Sequence, residues 1–239
     1  MAKGALIVLS GIDGSGKTVQ TRLLTERLER EGFPCARVDY PRYGKGFFAD
    51  AAKSYLEGAY GPNPDAIDPH LAAMIFACDR WESRQQLADD LAAGLVVVAN
   101  RYVSANMAHQ GAKIRRSNKR LAFFDWVGEM EYGVFGLPQP DAEILLDMPP
   151  GVAQALVRSG TGASLRNDAG RPGRDIHEES LAHLNAASRT HRELARIFSW
   201  SRIACARRGK PLPPEMIADR VWETVSEILS MLGITARHA

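Results

Sequence analysis

Five short apolar runs rich in β-branched residues punctuate the chain, at Ala5–Ser10, Cys35–Tyr40, Leu95–Ala99, Ala142–Asp147 and Arg202–Ala206. Between them lie stretches with helical periodicity, clearest in Lys17–Glu31, Pro69–Ala93, Asn118–Tyr132, Glu178–Phe198 and Pro214–Leu232. The last begins after Pro211-Leu212-Pro213-Pro214, a natural stop and restart. This alternation predicts an α/β fold with a five-stranded parallel sheet and helices on both faces. No internal repeat or long linker interrupts it, so residues 1–239 read as a single domain. One segment breaks the pattern: "SGTGASLRNDAGRPGRD", Ser159–Asp175, is rich in glycine, arginine and small polar residues and reads as a mobile lid at about 159–175.

The first run leads into Gly11-Ile12-Asp13-Gly14-Ser15-Gly16-Lys17-Thr18, which matches G-x-x-x-x-G-K-[ST] between a strand and a helix. Glycines there let backbone N–H groups turn inward around phosphate oxygens where a side chain would clash. Gly11, Asp13, Gly14, Ser15, Gly16, Lys17 and Thr18 are therefore the expected nucleotide-phosphate-binding residues, a loop that a GTPase switch, a motor ATPase or a small-molecule kinase could each carry. Lys17 would supply a cation to the β- and γ-phosphates, Thr18 a hydroxyl for Mg²⁺, and the helix N-terminus a favourable dipole.

Bulk properties narrow the partners. A formal charge of +2 gives no support for nucleic-acid binding, and no apolar run approaches the length of a membrane helix. Met1-Ala2-Lys3-Gly4 runs directly into the first strand, so no signal peptide is expected and the location reads as cytoplasmic. Cys35, Cys78 and Cys205 are widely spaced and lack a C-x-x-C pair, which argues for reduced, buried thiols. His177, His183 and His191 share one helical stretch at separations of neither three nor four residues, which argues against a metal cluster.

A phosphate-binding loop does not identify the acceptor, which must be read from the other strand ends. "DYPRYGKG" after the second strand places Arg42 on a loop near the site. "FACDRWE" puts Phe76 and Arg80 four apart on one helix face, where a ring and a guanidinium can stack on and hydrogen-bond a base. "VVVANRYVSANMAHQG" puts Asn100 and Arg101 at the end of the third strand, and arginines there can grip an anionic acceptor. Together these suggest one nucleotide site facing another.

With these pieces in order, joined by "GLPQPDAEILLDMPP" (Gly136–Pro150) and "RDIHEESLAHLNAASRTHRELA" (Arg174–Ala195), the chain resembles the thymidylate kinases over nearly its whole length. The resemblance implies a P-loop NTPase fold of the nucleoside monophosphate kinase type with a lid. It also implies an ATP:dTMP phosphotransferase, ATP with Mg²⁺, small-molecule nucleotides as the only substrates, and a homodimer. Position by position, Arg42 and Arg101 resemble the clamps on the dTMP phosphate, Phe76 the ring under thymine and Arg80 the donor to a thymine carbonyl. Asn100, Asn106, His109 and Gln110 fall among the acceptor contacts. Asp13 corresponds to a P-loop carboxylate near the acceptor and, with Thr18, to the Mg²⁺ site, partly through water. Of the lid arginines Arg158, Arg166, Arg171 and Arg174, the last two are the expected catalytic cations beside Lys17, Asp13 and Arg101, because this P-loop carries no cation besides Lys17.

The sequence departs from the family at two positions. Asn100 stands where the family usually has an aspartate that helps order Mg²⁺, and His109 where it often has a tyrosine against the sugar. These leave open a kinase for another acceptor, such as dUMP or a modified pyrimidine, and a weakly active nucleotide-binding regulatory protein.

Overall fold

The computed structural model describes residues 4–61, 66–159 and 181–236. In chain order they form β1 (Ala5–Ser10), α1 (Lys17–Arg30), β2 (Cys35–Asp39), α2 (Phe47–Leu56), α3 (Pro69–Glu82), α4 (Arg84–Ala92), β3 (Val96–Asn100) and α5 (Val103–Gly111). Then come α6 (Ser117–Gly128), continued by a π-helical turn at Glu129–Val134, β4 (Ala142–Asp147), α7 (Pro150–Arg158), α8 (Leu181–Ile197) and β5 (Ser201–Ala204). A small hairpin of β6 (Ala206–Arg207) and β7 (Lys210–Pro211) precedes α9 (Pro214–Met231).

The five long strands form one parallel sheet in the order β2-β3-β1-β4-β5. All five lie where the apolar runs predicted, with β3 starting and ending one residue later than expected, so that Asn100 closes the strand. Strand alternation divides the core in two. Ile7, Leu9, Val98, Ile144 and Leu146 pack against Leu24 and Leu28 of α1 and Val221 and Val225 of α9. Leu6, Val8, Val97 and Ala99 face Val103 and Met107 of α5 and Phe123 and Val127 of α6. Both faces of the sheet are covered, which is why its strands read as continuous apolar runs.

The helices differ more from expectation. The single helix foreseen at Pro69–Ala93 is two. Asp68 caps its start by accepting from the His70 and Leu71 N–H groups, with Pro69 at the first helical position. Ser83 divides it, donating its hydroxyl to the Arg80 carbonyl at 3.1 Å in competition with the helical pattern. Helices α2, α5 and α7 were not foreseen. Every residue of α5 is buried, so it has no polar face and no amphipathic period to read. Of the thiols, Cys205 is buried as expected, whereas Cys35 and Cys78 are only half-buried. Most of the lid segment, including Arg166, Arg171 and Arg174, lies outside the described residues, as does His177.

Candidate functional site at the ends of the strands

The loop between β1 and α1 has the backbone a phosphate cradle requires. Gly11 has φ 144° and Gly14 φ 78°, both in the region that favours glycine. A Cβ at Gly11 would stand 2.7 Å from both the Leu146 carbonyl oxygen and Ser15 Oγ. The start of α1 has no side-chain cap and no acidic residue in its first turn, so its N–H groups remain available to an anion. Lys17 Nζ donates to the carbonyls of Gly11 at 2.9 Å and Ile12 at 2.8 Å, which draws the ammonium across its own loop. Ser15 Oγ is buried with no partner, a polar group inside the cradle.

Arg101 reaches this loop from the neighbouring strand. It follows β3 with φ 67°, uncommon for a residue with a side chain, while its N–H donates to the Leu9 carbonyl at 3.1 Å. That turn aims its guanidinium at Asp13, to which Nη2 donates. Burial alone would raise the Asp13 carboxyl, but Arg101, and Lys17 at 3.8 Å, hold it far below the usual carboxylate range. The other arm of the fork, Nη1, donates to His109 Nε2 at 3.2 Å. An arginine can only donate, so that nitrogen accepts and the His109 proton lies on Nδ1. Burial keeps His109 well below its ordinary pKa, Arg101 acts in the same direction, and Asp13 opposes both. His109 is therefore neutral.

Behind it α8 contributes two rings the sequence did not assign to the site. His183 stacks on His109 with centroids 5.8 Å apart, and His191 meets it edge-on at 5.5 Å. Burial pushes His191 down to about 3, and its Nδ1 donates to the Ala187 carbonyl at 2.9 Å. Among the described residues no group of side chains is arranged to hold a metal through histidine, cysteine and carboxylate ligands together. His109 on α5 and His183 on α8 lie far apart in the chain on different helices, so no spacing rule could have joined them.

Asn100 spans the gap between strand ends and loop. Its Nδ2 donates to Asp39 Oδ1 at 2.7 Å and lies 3.4 Å from Thr18 Oγ1, while its Oδ1 is buried without a partner.

On the other side, α3 organises the residues foreseen as acceptor contacts. Arg42 is held by this helix: its N–H and Nε donate to the Asp79 carboxylate at 3.0 Å each, and Nη2 reaches the Asp79 carbonyl at 3.1 Å and Glu82 Oε2 at 3.0 Å. Arg42 is thus engaged by the acids of α3. Asp79, buried at the centre of this contact, was missed because it read as one acid in a helical stretch. Arg80 donates Nε and Nη2 to Glu131 at 2.5 and 2.8 Å, and Glu131 also accepts from Asn106 at 2.8 Å. Arg80 Nη1 takes no part in that pair. Glu131 comes from the π-helical turn, a local backbone form that carries no sequence signature. Phe76 is half-buried and meets Tyr55 edge-on at 5.5 Å. Gln110 is buried with its Oε1 unpartnered, as is Asn106 Oδ1. Of the lid arginines only Arg158, exposed at the end of α7, is described.

A phosphate cradle at the end of the first strand of a parallel sheet, met by an arginine from the adjacent strand end, defines a nucleotide-dependent phosphoryl-transfer enzyme of the nucleoside monophosphate kinase type. The family model described as thymidylate kinase matches residues 9–197. The chain belongs to the thymidylate kinase family. It is 29% identical over 224 residues to the thymidylate kinase of Thermomicrobium roseum, covering 93% of this chain and 95% of that protein. It is 29% identical over 190 residues to that of Mycobacterium tuberculosis strain H37Rv, covering 80% and 85%, and 29% identical over 160 residues to the human protein, covering 67% and 68%. A solved thymidylate kinase from Candida albicans shares the fold with TM-score 0.69 over 95% of this chain and 93% of its own, at 19% identity.

Proposed function

We infer that this chain transfers the γ-phosphate of ATP to dTMP, giving dTDP and ADP. The observation that carries the reading is the join between the phosphate loop and Arg101 through Asp13, within a chain that matches the thymidylate kinase family over residues 9–197. The Gly11–Thr18 loop binds the ATP phosphates, and Lys17 exchanges its two carbonyl partners for phosphate oxygens. Arg101, oriented by Asp13 and neutral His109, presents its guanidinium to the anionic acceptor. A phosphate oxygen of dTMP attacks the γ-phosphorus in line, the bond to the ADP oxygen breaks, and no covalent enzyme intermediate is required. Phe76 and Arg80 on α3, with Asn106 and Gln110 on α5, form the nucleoside side of the site. Arg42 holds the loop after β2 on Asp79 through its N–H and Nε and is assigned to the acceptor phosphate. Arg171 and Arg174 are assigned to the transferred phosphoryl group.

Mg²⁺ suits the residues present, because the Thr18 hydroxyl lies 3.4 Å from the Asn100 amide nitrogen, which also donates to the Asp39 carboxylate at 2.7 Å, and Asn100 Oδ1 is buried without a partner. When bound, Mg²⁺ supplies neutralising charge to the phosphates. A homodimer is assigned from the family, and exposed Leu71 and Met74 on α3 and Leu121 on α6 are apolar side chains that a partner could cover. No helix among the described residues is long and apolar enough to cross a membrane, in keeping with work in the cytoplasm.

Steady-state kinetics with ATP and a panel of dTMP, dUMP, UMP, dCMP and dGMP test the reading. The highest kcat/KM is expected for dTMP. A preference for dUMP would move the assignment to another pyrimidine acceptor, and no turnover with any member would refute a kinase.

A further inference from the structure

The phosphate loop contains one acid, Asp13, and its charge is already engaged by Arg101 and lies 3.8 Å from Lys17. A carboxylate between two cations is a poor partner for a third. A second acid stands close by. Asp39 closes β2 and pairs in register with Asn100, which closes β3. The Asn100 Nδ2 group donates to Asp39 Oδ1 at 2.7 Å and lies 3.4 Å from Thr18 Oγ1, so one amide touches both the carboxylate and the loop hydroxyl. Asn100 is 8% exposed and its Oδ1 has no partner, an uncompensated polar atom at the same strand end. The Asp39 side chain, by contrast, is 42% exposed and open to an incoming ion.

We propose that Asp39 provides the carboxylate for the divalent cation of the ATP complex, and that Asn100 is the positioning residue that holds it beside Thr18. Position 100 carries an amide, and the acid stands on its in-register neighbour. Mg²⁺ is a hard cation that takes oxygen ligands, keeps several waters and binds through one or two carboxylates together with substrate phosphates, so a single exposed acid suffices. The competing role for Asp39 is its pair with Arg37, whose Nε and Nη2 lie 2.8 and 2.9 Å from the two oxygens. Both side chains are partly exposed, so the pair is screened by solvent and a divalent ion can compete with Arg37 for the carboxylate.

This inference rests on the ATP·Mg²⁺ reading above, and its test separates the two. Mn²⁺ binding to the protein–ATP complex, followed by electron paramagnetic resonance, and ATP binding without metal, followed by calorimetry, are compared in wild type, Asp39→Asn, Arg37→Ala and Asp39→Asn/Asn100→Asp. Asp39→Asn is expected to weaken Mn²⁺ roughly tenfold while metal-free ATP binding is unchanged, the scale of one charge-assisted contact. The double variant, which places the carboxylate at position 100, recovers most of that loss, and Arg37→Ala binds Mn²⁺ at least as well as wild type. Unchanged Mn²⁺ affinity in Asp39→Asn, a failure of the double variant to recover, or an equal loss in Arg37→Ala would overturn the assignment. Wild-type ATP binding that is indifferent to the metal would instead contradict the ATP·Mg²⁺ reading itself.

Discussion

Replacing Glu131 by alanine should be among the most destabilising single substitutions in the nucleoside side of the site. Arg80 is 3% exposed and Glu131 0%, and the two are joined by a fork in which Nε and Nη2 each meet a carboxylate oxygen. Burial disfavours the Arg80 charge, and the Glu131 carboxylate more than offsets it, raising the arginine above its ordinary pKa. Glu131→Ala leaves that guanidinium buried and uncompensated, and Asn106 keeps only the Ala73 carbonyl at 2.9 Å. Breaking a buried pair from one side typically costs about 3–5 kcal/mol. For a chain of 239 residues that corresponds to a fall in Tm of about 6–20 °C. Urea unfolding at a common m-value measures the loss directly. The pair-replacing variant Arg80→Met/Glu131→Leu should recover much of it, because the cost comes from the orphaned charge and not from a lost net attraction. A loss below about 1 kcal/mol for Glu131→Ala, the range of an exposed pair, would refute the claim that this pair is dry and mutually dependent.

Three further outcomes follow from the same geometry. Lys17→Ala should abolish phosphoryl transfer in a coupled assay while circular dichroism stays that of wild type, since its side chain bonds to the carbonyls of its own loop and belongs to neither core cluster. Arg101→Ala should lower kcat/KM for dTMP tenfold or more, on the order of 1.5–3 kcal/mol for a charge-assisted contact, with a smaller effect on ATP affinity; the reverse pattern in titrations of the two nucleotides would exchange their sites. Glu143, buried on β4, bonded to Ser10 and paired with no cation among the described residues, is pushed up to about 7 by burial. A raised carboxyl favours folding while protonated, so wild type should lose up to about 3 kcal/mol as pH rises from about 4.5 through 7. Glu143→Gln removes that loss: its advantage over wild type in urea unfolding should be small at pH 5 and full at pH 8, and a pH-independent difference would show that Glu143 does not titrate there.

The sheet was legible because its strands are buried on both faces and declare themselves as apolar runs, and the phosphate loop because its glycines are dictated by backbone geometry. The acceptor side was legible only as a set of residue types. Arg42 and Arg80 could be placed near the site, but their partners Asp79 and Glu131 could not, since an ion pair between residues 37 or 51 positions apart leaves no local pattern. Helix α5 was hidden for the opposite reason: wholly buried, it shows no alternation of polar and apolar positions. Arg101 was found as a residue at a strand end, whereas the left-handed turn that aims it at Asp13 is not encoded in any residue preference visible in the sequence. The histidines of α8 were weighed as metal ligands against one another, when their partner is His109 on a different helix.

The most direct test of the account is product analysis. The purified protein is incubated with γ-³²P-ATP, Mg²⁺ and dTMP, and the nucleotides are separated by chromatography. The account predicts label in dTDP, with unlabelled ADP formed in equal amount and no stable label on the protein. Label released only as inorganic phosphate, or retained on the protein chain, would contradict direct transfer to dTMP.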